Sequence, residues 1–117
     1  MTLKEIAARL RLRHLTPELS ADASPDVTDG HVSDLLSDVL AHAPRDGVLV
    51  TQHLHMNVIA VCVNAGLTAV IFAADREPEE PVRRKAVEEG VQLYASAASG
   101  FDIVGQLYAL GLRGRAG

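Results

Sequence analysis

The chain has 117 residues and a mass of 12.5 kDa, the size of one domain with a single core. Hydrophobic residues make up 48% and charged residues 22%, which excludes a disordered chain. With a formal net charge of −4, no Trp, two Phe and two Tyr, it lacks the basic footprint of a nucleic-acid binder and the rings that stack single-stranded bases.

Thr2 and Glu5 stand at capping-box spacing around Leu3, Ile6, Ala7 and Leu10, which predicts an amphipathic first helix. Leu12 to Thr16 reads as a short strand stopped by Pro17, and residues 17 to 26 as loop. Asp26 to Val32 reads as a turn beside a short strand. Ser33 is expected to cap a helix with Leu35, Leu36, Val39, Leu40 and Ala43 on one face, ended by Pro44.

From Val48 the pattern becomes regular. Val48 to Thr51, Leu67 to Ala73 and Val91 to Ala95 read as apolar strands. Between them lie an almost wholly apolar helix from Met56 to Ala65, stopped by Gly66, and a charged helix from Glu79 to Glu89, stopped by Gly90. Ser99 and Asp102 open a last helix, with Phe101, Val104, Leu107 and Tyr108 expected to face inward. Short connections and strands without alternation predict a compact layered α/β fold, its short and mainly parallel sheet carrying helices on its faces. Residues 1–112 are expected to form the single domain and residues 113–117 a flexible tail.

Ligands of such sheets bind beyond the carboxyl ends of the strands. Three loops meet there, and the candidate ligand residues are Thr51, His53, His55, Asn57, Arg76, Ser99 and Gly100. Helix starts present free N–H groups, so this rim suits a small anion such as a phosphorylated or carboxylated metabolite. His53 and His55 supply two metal ligands at most, with Asp75 the nearest candidate for a third, so no metal is expected. Cys62 lies in the most apolar helix and reads as a small buried hydrophobe. No phosphate-binding Gly-rich loop and no Gly-x-Ser-x-Gly elbow occurs, and no cofactor is expected. No apolar run reaches the length of a membrane span, the first residues lack the build of a signal peptide, and the lone cysteine points to a cytoplasmic setting.

Asp26-Val27-Thr28-Asp29-Gly30, followed by Val32-Ser33-Asp34-Leu35-Leu36-Ser37-Asp38, resembles the DRTGG domain. The later order is similar as well: Asn57 before an apolar helix, Ala69-Val70-Ile71-Phe72, Arg76-Glu77-Pro78, and a last helix from Phe101. Asp26, Thr28 and Gly30 are the motif positions kept, whereas Val27 stands in place of Arg and Asp29 in place of Gly. The resemblance implies an α/β domain related to the N-terminal domain of HPr kinase/phosphorylase. That family occurs beside CBS domains and within some phosphotransacetylases, where its role is regulatory or associative.

The leading expectation is therefore a stand-alone, non-catalytic module that associates with itself or with a regulated enzyme. The alternatives are a sensor of a small anionic metabolite at the rim and a small enzyme using His53 or His55 as a base. A homodimer is expected, because Val58, Ile59, Val61, Cys62 and Val63, with the leucines after Ser33, exceed what a small three-stranded core can bury.

Overall fold

Alternation along three short strands decides the layers of this molecule. The computed structural model describes residues 1–23 and 25–115, with side chains for all of these except Ala23. The central strands are β3 (Val48–Thr51), β4 (Ala69–Phe72) and β5 (Gln92–Ala95), parallel and in register, so that Leu49, Val70 and Leu93 form one rung and Val50, Ile71 and Tyr94 the next. Successive side chains of a strand point to opposite faces. The first rung therefore packs with Val39, Val58, Ile59, Cys62, Val82 and Ala86, and the second with Leu3, Ile6, Ile103 and Leu107. Burying each such side chain contributes about 1.5–3 kcal/mol.

Two further strands complete a five-stranded sheet of order β1-β5-β4-β3-β2. β2 (Gly30–Val32) adds in parallel beside β3, and β1 (Arg13–His14) runs antiparallel along β5. From β2 to β5 the chain steps across the sheet in one direction. Right-handed crossovers then place every connecting helix on the same face. These helices are α2 (Leu36–His42), α3 (Asn57–Ala65) and α4 (Glu80–Glu89), while α1 (Leu3–Leu10) and α5 (Gly100–Ala109) cover the other face. The expected α/β architecture stands, with five strands where the regular pattern showed three.

Local chemistry explains most boundaries. The Thr2 hydroxyl accepts from the Glu5 N–H at 3.1 Å and the Ser99 hydroxyl from the Asp102 N–H at 3.2 Å, as the capping pattern predicts. Gly66 and Gly90 end α3 and α4 at φ 71° and 74°, the left-handed conformation that favours glycine.

Four expectations change. Ser33 does not cap α2: its hydroxyl accepts from the Leu35 N–H at 3.1 Å in a local turn, and the helix starts at Leu36. Leu35 and Leu40 consequently stand exposed, with Val39 the residue of α2 that reaches the core. On α5 the inward residues are Ile103 and Leu107, while Phe101 and Tyr108 face solvent. Arg113, placed in the tail by sequence, is tied to the sheet: its N–H donates to Thr28 O at 3.1 Å and its carbonyl accepts from Gly30 N–H at 3.0 Å. Ala116 and Gly117, the rest of that tail beyond Arg115, lie outside the described residues.

Tyr94 is the largest side chain in the core, and its hydroxyl has no hydrogen-bond partner among the described residues. The ring stacks on His14 at 4.6 Å, so packing holds it where its polar atom is unsatisfied. An unpartnered buried hydroxyl costs about 1–3 kcal/mol. Tyr94→Phe keeps the ring and removes that penalty. Urea unfolding should show the variant more stable by about 1 kcal/mol, with the slope unchanged.

Candidate functional site

The carboxyl ends of β3, β4 and β5 are laced together by backbone. Ala73 N–H donates to Thr51 O at 3.0 Å and Ser96 N–H to Phe72 O at 2.9 Å. Beyond them Ala74 N–H reaches Ala98 O and Asp75 N–H reaches Ser96 O, both at 2.8 Å. Ala74 and Asp75 each have φ 59°, a left-handed conformation that costs about 1–2 kcal/mol per residue for side chains with a Cβ. The two bonds to the next loop hold them there. The tight turn that results presents Asp75, Arg76 and Glu77 from one point of the rim.

Their charges then divide. Arg13, on the antiparallel edge strand, pairs with Asp75 at 3.3 Å and with Glu77 at 3.1 Å. Asp75 is thereby withdrawn from the role of third metal ligand beside His53 and His55. Among the described residues no group of three or more His, Cys, Asp or Glu is placed to hold a metal. Arg76 is exposed, and its side chain forms no ion pair among the described residues.

Asp34 occupies the place that sequence reasoning reserved for a bound anion. Its Oδ1 accepts from the Thr51 hydroxyl at 2.7 Å and from the Gln52 N–H at 2.8 Å. The Gln52 N–H, then the Thr51 hydroxyl, hold its carboxyl below the usual carboxylate range, and the charges of His53 and Arg76 add to this. Thr51 is itself buried and accepts from the His53 N–H at 3.1 Å. The structure thus gathers Thr51, His53 and Arg76 around a carboxylate that the chain supplies itself. Asp34 was missed because the segment after Val32 reads as a helix cap. Its signal was an acid directly after a strand, which lies at the rim once β2 pairs with β3.

The other candidates are engaged locally, and the His55 ring lies 6.4 Å from that of His53. His55 Nδ1 accepts from the Asn57 N–H at 3.1 Å and so caps the start of α3. Together with Leu54, Met56, Glu77, Glu79 and Val82, His55 lines a depression of about 450 Å³, whose carboxylates oppose an anion. The Ser99 hydroxyl caps α5, and a side chain at Gly100 would meet Ala73 Cβ at 4.0 Å. Ser96 is buried with its hydroxyl accepting from Ala98 N–H at 3.1 Å. Asp26, Thr28 and Gly30 stand at the amino end of β2, across the sheet from the rim, where Thr28 and Gly30 bind the Arg113 backbone. Burial pushes the Cys62 thiol up to about 12, which leaves it protonated and unreactive at neutral pH.

No family model and no curated protein matches the chain. A solved structure does: the CBS and DRTGG domains of the regulatory region of Clostridium perfringens pyrophosphatase, complexed with its activator diadenosine tetraphosphate. The TM-score is 0.68 at 10% identity, over 91% of this chain and 45% of that one. The shared feature is the α/β fold, and this chain spans less than half of that neighbour's length. Among the described residues no helix is long and apolar enough to cross a membrane.

The Asp34 contacts set a pH dependence. A depressed folded pKa stabilises the native state above the unfolded value, about 3.9 for Asp, and that stability is lost as pH falls through the folded pKa. Asp34→Ala should lower stability by about 1 kcal/mol at pH 7, a figure reduced for the exposure of the group. The gap between the two proteins should stay flat from pH 8 to about 5 and shrink below about 4. Chemical unfolding across this range measures it.

Proposed function

We propose that the chain is a non-catalytic regulatory module of the DRTGG type that works by association, with itself or with an enzyme it regulates. Residues 1–112 act as its one domain, in a cytoplasmic setting. The observation that carries the reading is the pairing of a fold like that of a regulatory region with large apolar side chains left in solvent, among them Phe101 at 88% and Tyr108 at 57% exposure. Two such side chains on one helix, with exposed Val32 beside Tyr108, make the kind of apolar patch that marks an interaction surface.

The rim supports this reading as well. Its hydroxyls at Thr51, Ser96 and Ser99 and its imidazole at His55 are engaged with the chain's own backbone or with Asp34. A nucleophile needs a free oxygen beside a base. These groups stabilise loops instead.

The surface expected to drive dimerisation is only partly exposed. Val58, Ile59 and Cys62 are buried against the sheet, and of that helix Met56 and Val63 remain accessible. Self-association therefore falls to other apolar residues of the surface.

A second reading is favoured by Arg76. A guanidinium that forms no ion pair among the described residues can hold the phosphate or carboxylate of a metabolite, in a module whose structural neighbour binds a nucleotide activator. A thermal-shift panel of nucleotides, sugar phosphates and dicarboxylates tests it. The associative reading expects no saturable shift. A ligand that raises the midpoint with concentration, and loses this effect in Arg76→Ala, would replace it with the sensor.

A further inference from the structure

The chain contains four Phe and Tyr side chains. Phe72 and Tyr94 are in the core, and Phe101 and Tyr108 project from α5 at 88% and 57% exposure. Positions 101, 104, 105 and 108 follow the i, i+3, i+4, i+7 spacing of one helix face. Phe101, Gly105 and Tyr108 thus make an exposed stripe on the outer side of α5, with half-buried Val104 at its margin packed against the core.

Gly105 stands at the middle of this stripe. Glycine weakens a helix interior relative to alanine, and a side chain here would meet no atom of its own chain within 4 Å. Packing within the chain does not require the glycine. A glycine here leaves room for a second backbone to approach closely.

Beside the stripe, between α5 and the edge strand β2, lies a groove of about 330 Å³ floored by Val50, Leu107 and Leu112 and flanked by Val32, Val104 and Tyr108. Val32 is 56% exposed. Arg113 closes one end: its guanidinium lies 3.6 Å above the Tyr108 ring and donates to the Tyr108 and Leu112 carbonyls at 2.9 and 2.8 Å. Tyr and Arg over an apolar floor are the residue types enriched at interface centres.

We propose that α5 pairs antiparallel with α5 of a second copy of this chain, about a two-fold axis beside Gly105, seating Phe101 of each copy in the groove of the other. This rests on the associative reading above and gives it a surface. The stripe is symmetric about its own centre. An antiparallel pair therefore sets Phe101 opposite Tyr108 of the other copy and the small Gly105 opposite its Val104, which makes the face self-complementary as a two-fold interface requires. The charges agree. Asp102 in the first turn of one helix approaches the end of the other that carries Arg113, and the two helix dipoles oppose.

Sedimentation equilibrium of the whole chain and two variants tests the pairing. The wild type should show twice the 12.5 kDa of one chain. Phe101→Glu should weaken dimerisation roughly 30-fold, the scale of an interface hot spot. Its circular dichroism and melting temperature in the monomer should stay native, because an acid in the first turn suits the helix dipole. Leu35→Glu, on another element, should remain dimeric. Independently, Gly105→Cys should cross-link to itself under diamide, while buried Cys62 leaves the wild type unlinked. A dimer that survives Phe101→Glu and fails to cross-link through Gly105→Cys overturns this surface and leaves the associative reading standing. A wild type of 12.5 kDa at every concentration overturns the pairing and self-association together.

Discussion

The rung joining Leu49, Val70 and Leu93 is the constraint from which the other layers follow. Each strand that contributes to it has only four residues, so each face of the sheet receives two side chains per strand. The two polar positions, Thr51 and Gln92, stand at strand ends, buried and hydrogen-bonded, and the other ten are apolar. The helices must cover both faces completely, and the one-directional strand order assigns three crossovers to one face. The other face is left to the first and last helices of the chain. α5 therefore has to bury Ile103 and Leu107 against Val50 and Ile71, which turns the opposite side of that helix outward.

Short strands also shape the rim. Strand ends lie close to one another, and the loops bridge them by backbone hydrogen bonds from Ala73, Ala74, Asp75 and Ser96. The polar side chains found there are those that finish this lacing. Asp34 belongs to the same system: its carboxylate accepts the hydroxyl and amide that emerge where β3 ends. An anion-binding geometry is present, filled by a side chain of β2's own connection. Arg76, which forms no ion pair among the described residues, is carried outward by a turn whose left-handed residues are held by the neighbouring loop.

Both sheet edges are protected by other means. β1 covers β5, extended by Leu15 N–H to Leu93 O at 2.8 Å and by the Thr16 hydroxyl, which accepts from Leu93 N–H at 3.0 Å. Among the described residues, β2 is covered at its amino end alone, by the Arg113 backbone. The groove and the aromatic stripe flank this less protected edge, so the apolar surface of the molecule is concentrated where the sheet itself is least complete.

The sequence by itself determined the order and type of the regular elements from Val48 to Ser99. Continuous apolar runs of strand length, glycines at helix ends and hydroxyls at helix starts act over a few residues, and nothing distant overrides them here. It also determined that Cys62 is a core residue, through the apolar helix around it. The tertiary structure alone decided which face of an all-round apolar helix is inward. Phe101, Ile103, Val104, Leu107 and Tyr108 offer two apolar arcs, and hydropathy cannot choose between them. The choice was made by the packing of α5 on the sheet, which sets Ile103 and Leu107 in one cluster with Val50 and Ile71. Pairing decided the rest: Asp34 reached Thr51, Arg13 reached Asp75 and Glu77, and Arg113 reached Thr28 because strands far apart in sequence became neighbours. Such contacts leave no local period or cap in the chain, and a candidate site read from loop composition therefore lacked Asp34, which the fold brings to Thr51.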